Sequence, residues 1–170
     1  MSLNVLMGAV LRDSNIEEIK RERGEIMNKL HVDIMLQEGA SPPEYSTDGS
    51  AGFDIASLHN VYLESGETKL VKTGLYMAVP QGYELQLRPR SGLSLKTGLR
   101  IPNSPATVDS DYRGEIKVIV ENTSDEVTVI KKGDRICQGV FNEVPCGIFN
   151  VVTTLDETER GNGGFGHTGR

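Results

Sequence analysis

The spacing of apolar residues changes near His31, and this change restricts the possible folds more than any other feature of the chain. Before it, apolar side chains recur at helical spacing, and Ser14-Asn15-Ile16-Glu17 has the form of a capping box that starts a helix at Ser14. After it, the period falls to two in short alternating or apolar runs, which is typical of β-strands. These runs are 32–36, 83–87, 116–120, 127–130, 136–140 and 148–152.

Turn residues separate the runs, for example at Ser65-Gly66, Pro80-Gln81-Gly82 and Lys132-Gly133-Asp134. No long helical pattern follows residue 31, and no repeat of fixed period is present. Many short strands at even spacing predict an all-β sandwich, jelly roll or barrel. We therefore expect a helical extension over residues 1–30, a β domain over 31–159 and a flexible glycine-rich C-terminal arm over 160–170.

Composition and charge narrow the class of function. The 170-residue chain is 37% hydrophobic, as in soluble globular proteins, and its net charge of −6 argues against a protein that binds nucleic acid through broad electrostatics. Cys137, Cys146 and the three histidines have no metal-ligand spacing, so a structural zinc site is not expected. The apolar stretch over residues 3–11 is too short to span a membrane and lacks the features of a signal peptide. Two free thiols fit a reducing compartment, and we expect a cytoplasmic protein with no membrane partner.

Several common nucleotide-binding and hydrolase motifs are absent. The chain has no Gly-x-x-x-x-Gly-Lys-Ser/Thr loop and no Gly-x-Ser-x-Gly elbow. Residues 161–166 match Gly-x-Gly-x-x-Gly, but only four residues follow, which leaves no room for the helix that a dinucleotide-binding motif requires.

Two loops combine side chains that could carry chemistry, and the first of them suits a phosphorylated ligand. Arg88-Pro89-Arg90-Ser91-Gly92 follows a predicted strand and places guanidinium groups beside a hydroxyl and a glycine, a combination that suits phosphate. The segment Val108-Asp109-Ser110-Asp111-Tyr112-Arg113-Gly114 brings two carboxylates, an aromatic ring and a guanidinium together in one loop before another strand. The loop over residues 88–92 alone also fits a solvated turn, and segment 133–138 alone fits a hairpin with a surface ion pair.

Five segments taken together are more specific than any one of them. In chain order they are 51–55, 89–94, 107–114, 133–138 and 160–166. They resemble the five ordered motifs of the trimeric dUTPase family, and the resemblance covers roughly residues 32–169. It implies a distorted jelly-roll β-barrel and a homotrimer whose active sites lie between subunits, each closed by an arm from another chain. It also implies Mg²⁺-dependent hydrolysis of dUTP to dUMP and pyrophosphate by water attack on the α-phosphate, which limits uracil incorporation into DNA and supplies dUMP for thymidylate synthesis.

The resemblance assigns a role to each residue of the nucleoside site. Asp109 matches the catalytic carboxylate that holds and activates the attacking water, a task that suits a general base. Tyr112 matches the ring that stacks under the deoxyribose and leaves no room for a ribose 2′-hydroxyl. The residues that match the uracil-reading hairpin and its return strand are Asn103, Thr107, Val108 and Lys117.

A second set matches the triphosphate site. The predicted phosphate contacts of the β domain are Arg90, Ser91, Gly92 and Gln138. The predicted contacts of the C-terminal arm are Arg160, Gly166 and Thr168, with Phe165 stacked on the uracil. Asp54 and Arg135 are expected to support the site. Mg²⁺ is expected to be held mainly by the triphosphate and waters rather than by protein ligands, as is common for this ion.

The chain departs from the family pattern at two positions, and two alternatives stay open. Ala106 stands where the family commonly has Gly, and His167 where it commonly has Ser.

The first alternative is a dCTP deaminase of the same fold, whose catalytic Glu would fall on Ile119, while Glu121 lies two positions away. The second is a viral or phage relative with an added regulatory protein-binding role, for which residues 1–30 would be the natural place.

Overall fold

A computed structural model describes residues 29–165, and the structural statements below concern these residues. The helices expected before residue 29 lie outside the described residues, as do Gly166, His167 and Thr168. Among the described residues, no helix is long and apolar enough to cross a membrane.

The described chain is built almost entirely of β-strands, as the two-residue periodicity predicts. Its one helix, α1 (Ser91–Lys96), is short. The strands are β1 (Asp33–Leu36), β2 (Glu44–Tyr45), β3 (Phe53–Ala56), β4 (Val61–Leu63), β5 (Thr68–Ala78), β6 (Tyr83–Arg88), β7 (Leu99–Arg100), β8 (Ala106–Val108), β9 (Glu115–Asn122), β10 (Thr128–Ile130) and β11 (Arg135–Glu143).

The strands form two larger sheets and one small one. One larger sheet has the order β1-β5-β9-β7, and the other has the order β2-β3-β11-β6-β8. The small sheet pairs β4 with β10, and the paired strands in all three sheets are antiparallel. Apolar side chains from both larger sheets join one buried cluster. The architecture is therefore the all-β, jelly-roll-like fold that the sequence predicts.

Alternation along each strand decides which side chains reach the core. In β9, Ile116, Val118 and Val120 are each 1% exposed, whereas the residues between them are partly exposed. In β6, Leu85 and Leu87 enter the core while the polar residues between and beside them face outward. The outer face of the five-stranded sheet is consequently polar, and it carries several predicted site residues.

Five of the six predicted strands are confirmed, and the prediction at 148–152 is wrong. That segment has no regular secondary structure, and Ile148, Phe149 and Val151 are more than 90% exposed. An apolar run forms a strand only where another strand accepts its hydrogen bonds, and in the described part of the chain none pairs with this segment. The longest strand, β5, was missed because its register shifts between Lys72 and Leu75, where Gly74 adopts a φ of 68°.

Candidate active site

Asp54 on β3 lies at the centre of a cluster of charged side chains. Phe53 and Ile55 on either side of it point into the core, so the Asp54 side chain faces outward, yet it is only 8% exposed. Arg90 Nε donates a hydrogen bond to Asp54 Oδ1 at 2.7 Å, and Arg135 Nη1 donates to Asp54 Oδ2 at 3.0 Å. Both carboxylate oxygens are therefore engaged by guanidinium groups.

Strand register adds Gln138 to this cluster. Gln138 on β11 lies opposite Asp54 on one side and opposite Arg88 on the other. Ser91 and Gly92 follow Arg90 directly and are exposed at the start of α1. We call Asp54, Arg90, Ser91, Gly92, Arg135 and Gln138 the arginine cluster. Its two guanidinium groups and one carboxylate give a formal charge of 2 − 1 = +1 on the surface of a chain whose net charge is −6.

The thiol of Cys137 lies beneath the arginine cluster. Its side chain is fully buried, and burial raises its pKa to about 12; the charge of Asp54 adds to the rise, and that of Arg90 opposes it. A thiol that keeps its proton and is closed to solvent is chemically inert. Cys137 therefore acts as a small packing residue under the cluster.

A second cluster is built around β8, which pairs with the outer edge of β6. Val108 lies opposite Leu85 and is 9% exposed, so it anchors the hairpin to the core. Asn103, Thr107 and Asp109 are exposed around it. No hydrogen bond or ion pair to another described residue engages the Asp109 carboxylate, so in the described chain it is available to solvent. We call Asn103, Thr107, Val108, Asp109 and Tyr112 the hairpin cluster.

Tyr112 is held in place within the hairpin cluster although its side chain is 44% exposed. Its backbone N–H donates to the carbonyl of Asp109 at 3.2 Å, and its hydroxyl donates to the carbonyl of Glu115 at 3.0 Å. The ring lies against the backbone of Gly114. A tethered aromatic ring with an open side is suited to stack on a flat or sugar-like group.

The two clusters lie toward opposite ends of β6. Val108 is opposite Leu85, so Asp109 follows at the level of Glu84, near the start of the strand. Arg90 lies two residues beyond Arg88, where the strand ends. The four residue steps from Glu84 to Arg88 cover about 13 Å of extended chain. Within one chain, Asp109 and Arg90 therefore lie toward opposite ends of β6 rather than side by side.

Three polar side chains on β6 also belong to this surface: Glu84 and Gln86, which were not predicted as site residues, and Arg88, which was named in the phosphate-suited loop without a role of its own. Arg88 Nη2 donates to Gln86 Oε1 at 2.6 Å, and Gln86 Nε2 donates to Glu84 Oε1 at 2.6 Å. This hydrogen-bonded row runs along the strand from the arginine cluster toward the hairpin cluster. The sequence signal for this row is alternation along the strand, because the polar residues at 84, 86 and 88 alternate with Tyr83, Leu85 and Leu87.

The remaining predicted residues lie apart from both clusters. Lys117 is on β9 in the four-stranded sheet, opposite Lys72, with its Nζ 3.7 Å from Glu115 Oε2. In the arm, Arg160 Nε donates to the carbonyl of Gly163 at 2.8 Å, and Phe165 is fully exposed with a φ of 51°. Gly166 and Thr168 lie outside the described residues.

Metal-ligating side chains are not grouped in the described part of the chain. No set of three or more His, Cys, Asp or Glu residues there is arranged to hold a metal ion. The buried carboxylate of Asp54 is committed to Arg90 and Arg135.

Comparison with known proteins gives a consistent result. A family model described as dUTPase matches residues 38–169. A deoxyuridine 5′-triphosphate nucleotidohydrolase from Fusobacterium nucleatum is 50% identical over 146 residues, which is 85% of this chain and 100% of that protein. The enzyme of the same name from Wolinella succinogenes is 45% identical over 155 residues, covering 91% of this chain and 99% of that protein.

Solved structures agree with the sequence comparison. The dUTPase of Staphylococcus bacteriophage 80alpha, in a structure with dUpNHpp, aligns with a TM-score of 0.78 and 27% identity over 84% of this chain and 100% of that one. A dUTPase from phage phi11 of S. aureus, described with the coordination of a structural Mg(II) ion, aligns with a TM-score of 0.69 and 25% identity over 75% of this chain and 100% of that one.

Proposed function

The chain belongs to the dUTPase family, and we propose that it hydrolyses dUTP to dUMP and pyrophosphate with the arginine and hairpin clusters. The observation that carries the proposal is the family match over residues 38–169, which includes all five motif segments. The relatives from Fusobacterium and Wolinella, aligned over nearly their full length, are named for hydrolysis of this nucleotide. The reaction lowers the dUTP available for incorporation into DNA and supplies dUMP.

Asp109 is the proposed general base. Its exposed carboxylate can accept a hydrogen bond from a water molecule and hold it for attack on the α-phosphorus. As the oxygen of that water bonds to phosphorus, its proton moves toward Asp109 and the bond from the α-phosphorus to the bridging oxygen breaks. Pyrophosphate leaves with the electron pair of that bond, and dUMP remains.

The hairpin cluster is proposed to select the nucleoside. Backbone groups around Asn103, Thr107 and Val108 would pair with the uracil edge, whereas Lys117 on β9 lies apart from this cluster within one chain. A base with the wrong donor pattern would leave buried polar groups unpaired, which disfavours cytosine. Tyr112 would stack under the deoxyribose and leave no space for a 2′-hydroxyl.

The arginine cluster is proposed to bind the triphosphate. Arg90 and Arg135 supply guanidinium groups held by Asp54, and Gln138 lies on the same face of the sheet. Guanidinium groups bind phosphate oxygens through charge-assisted hydrogen bonds. Ser91 and Gly92 add a hydroxyl and an unobstructed backbone beside Arg90. Orienting the guanidinium groups before substrate arrives reduces the entropy lost on binding.

Magnesium is proposed to enter the site together with the triphosphate. The chemistry of the cluster is compatible with this mode, because both oxygens of the Asp54 carboxylate already accept hydrogen bonds from Arg90 and Arg135. Mg²⁺ retains several waters and commonly binds substrate phosphates, so it needs no cage of protein ligands. When bound, it would neutralise phosphate charge, while the residues of this chain orient the triphosphate and the water.

The C-terminal arm is proposed to close over the bound nucleotide. Arg160 and Phe165 are exposed, and Phe165 makes no aromatic contact with another described ring. Phe165 would stack on the uracil, and Arg160 with Gly166 and Thr168 would contact the γ-phosphate. Stacking of a base on an aromatic ring contributes about 1–3 kcal/mol, enough to order a short segment.

A homotrimer with shared sites is the proposed assembly. The separation of Asp109 from Arg90 along β6 supports it, because both residues are assigned to one triphosphate. A site with both would combine the hairpin cluster of one copy with the arginine cluster of another. The apolar residues Ile148, Phe149 and Val151 are more than 90% exposed, and a second copy would cover them.

Release of pyrophosphate from purified protein tests this function directly. The parent should release it from dUTP with Mg²⁺, and should act far more slowly on dCTP, dTTP and UTP or after removal of the metal with EDTA. Activity on dCTP with release of ammonia would favour the deaminase alternative instead. A protein that releases neither product from either nucleotide would contradict both assignments.

A further inference from the structure

We propose that Gly114 is a positioning residue that determines sugar specificity by holding the Tyr112 ring at the depth where it excludes a ribose 2′-hydroxyl. The inference rests on the proposed function, because it concerns the role of Tyr112 in that same site. It adds a residue that contacts no substrate and acts through the aromatic ring.

The geometry around Gly114 shows why only hydrogen can occupy the side-chain position. A Cβ atom built on Gly114 would lie 2.5 Å from Tyr112 Cζ and 2.9 Å from Tyr112 Cε2, and it would overlap the hydroxyl oxygen. Carbon atoms in favourable contact lie about 3.5–4.0 Å apart. The ring would therefore have to move by about 1 Å to accommodate even an alanine.

The backbone itself does not require glycine at this position. The positive-φ glycines among the described residues are Gly39, Gly66, Gly74, Gly82, Gly133 and Gly161. Gly114 is not one of them, so its φ lies outside the left-handed region and alanine can adopt its conformation. The Tyr112 ring, rather than the chain turn, thus excludes a side chain at residue 114.

The Tyr112 ring is tethered through its hydroxyl and partly exposed to solvent. Its hydroxyl is tethered to the carbonyl of Glu115, which begins β9 and pairs with Tyr76 on β5. The side chain of Tyr112 is 44% exposed, so part of the ring faces solvent and can shift. A Cβ at residue 114 would break this tether and swing the ring into solvent. The ring would then no longer occupy the space next to C2′ of the sugar, and a 2′-hydroxyl would fit there.

The test is Gly114→Ala, compared with Gly49→Ala as the matched control. Gly49 also has an ordinary φ, and a Cβ built on it meets no heavy atom within 4 Å. We expect Gly114→Ala to lower kcat/KM for dUTP and to lower the dUTP-to-UTP selectivity at least about tenfold. The selectivity for dUTP over dCTP, which depends on the hairpin rather than on the ring, should stay the same. Gly49→Ala should match the parent in all three measurements.

Loss of sugar selectivity separates positioning from a general structural role. A Gly114→Ala protein that loses activity on all nucleotides in equal proportion, or that retains the parent selectivity, overturns the inference. A parent that hydrolyses no dUTP would overturn the proposed function, and this inference with it. If the parent hydrolyses dUTP and the parent and Gly114→Ala discriminate against UTP equally well, the inference is wrong but the proposed function stands.

A double-mutant cycle keeps the test decisive if Gly114→Ala is too unstable to assay. Tyr112→Leu removes the atoms that a Cβ at residue 114 would meet. If Gly114 acts through Tyr112, the melting temperature lost in Gly114→Ala should be largely absent when the same change is made in Tyr112→Leu. An equal loss in both backgrounds would mean that residue 114 meets a different obstacle, and the inference would be wrong.

Discussion

Asp54 Oδ1 accepts a hydrogen bond from Arg90 Nε at 2.7 Å across 36 positions of sequence, and this pair sets the orientation of the guanidinium group at the end of β6. The carboxylate is 8% exposed and the arginine side chain 25%, so the pair lies at the boundary between core and solvent. Removing one partner of such a pair leaves the other charge poorly solvated. The relation therefore affects both the stability of the sheet and the affinity of the phosphate site.

Asp54→Asn should weaken phosphate binding and destabilise the fold. The amide keeps the size of the side chain but removes the charge that holds Arg90 and Arg135. We expect the KM for dUTP to rise about tenfold or more, and the free energy of unfolding to fall by about 1–3 kcal/mol. Steady-state kinetics and urea denaturation measure the two effects.

The control for this prediction is Glu44→Gln. Glu44 lies opposite Asp54 on β2, but it is exposed and makes no ion pair with a described residue. The Glu44→Gln substitution should leave the KM for dUTP and the free energy of unfolding near the parent values. If the two substitutions have equal effects, the negative charge of this face would matter, and the hydrogen bond between Asp54 and Arg90 would not.

Asp109→Asn should nearly abolish turnover while leaving nucleotide binding within a few-fold of the parent. The amide retains the shape of the exposed side chain and loses the capacity to take a proton from water. We expect kcat to fall by at least about 10³-fold. Pyrophosphate release gives kcat, and calorimetry with a non-hydrolysable α,β-imido analogue of dUTP gives the affinity. A variant that turns over at a tenth of the parent rate would exclude Asp109 as the base.

Local alternation predicted much of the fold from the sequence. The strand β6 follows from polar and apolar residues in turn, because one of its faces meets the core, whereas β9 and β11 follow from short runs that are mainly apolar. The segment 148–152 has equally apolar residues but was predicted wrongly. Whether such a run becomes a strand depends on a neighbour that local sequence does not reveal.

The candidate site was only partly predictable. The motif segments identified Asp54, Arg90 and Arg135 as members, but the contact among them depends on the β3–β11 register and on the path of the chain after β6. Gly114 reads from sequence as an ordinary turn residue, because a contact between Gly114 and the ring two positions earlier depends on the Tyr112 rotamer. Interactions of this kind become visible only when side chains are placed.

Deletion of residues 160–170 should remove most activity and little stability. Residues 160–162 and Phe165 are exposed, and the described part of the arm, residues 160–165, contributes no residue to the buried core. The melting temperature should therefore stay within about 2 °C of the parent, because little apolar area is lost. Activity should fall steeply if Arg160 and Phe165 close the site. Parallel loss of stability and activity would indicate that the arm is structural.

Cys137 should make the stability of the protein sensitive to alkaline pH. Burial raises the pKa of this thiol in the folded chain from its ordinary value of 9.0 to about 12, so between these values the unfolded chain loses its proton while the folded chain keeps it. The contribution of the protonated Cys137 thiol to the free energy of unfolding is fully present below pH 9. It is lost as the pH rises toward 12, by about 1.4 kcal/mol per pH unit. Cys137→Ala should be less stable at pH 8 because of the cavity, but should lose less stability between pH 9 and 11.

Chemical denaturation at four pH values across this range measures the difference in slope. Cys146→Ala is the matched control, since Cys146 is exposed and should leave the slope of the parent unchanged. Identical slopes for the parent and Cys137→Ala would show that the thiol titrates no differently in the folded and unfolded chains.

Mixing two inactive variants should restore activity if the sites are shared between copies. Asp109 and Arg90 lie toward opposite ends of β6, so a shared site would take one from each of two chains. Asp109→Asn and Arg90→Ala should each be nearly inactive alone. When equal amounts are unfolded together and refolded, roughly a quarter of the sites in random closed trimers should combine an intact Asp109 with an intact Arg90.

The control for this experiment uses two variants of the same cluster. Asp54 and Arg90 are bonded within one chain, so a mixture of Asp54→Asn and Arg90→Ala contains no copy with an intact arginine cluster. This mixture should gain nothing over its separate components, whereas the first mixture should gain substantially. If neither mixture recovers activity although light scattering shows mixed oligomers, then Asp109 and Arg90 serve the same site within one chain, and the chain must bend after Arg88 to bring them together on binding.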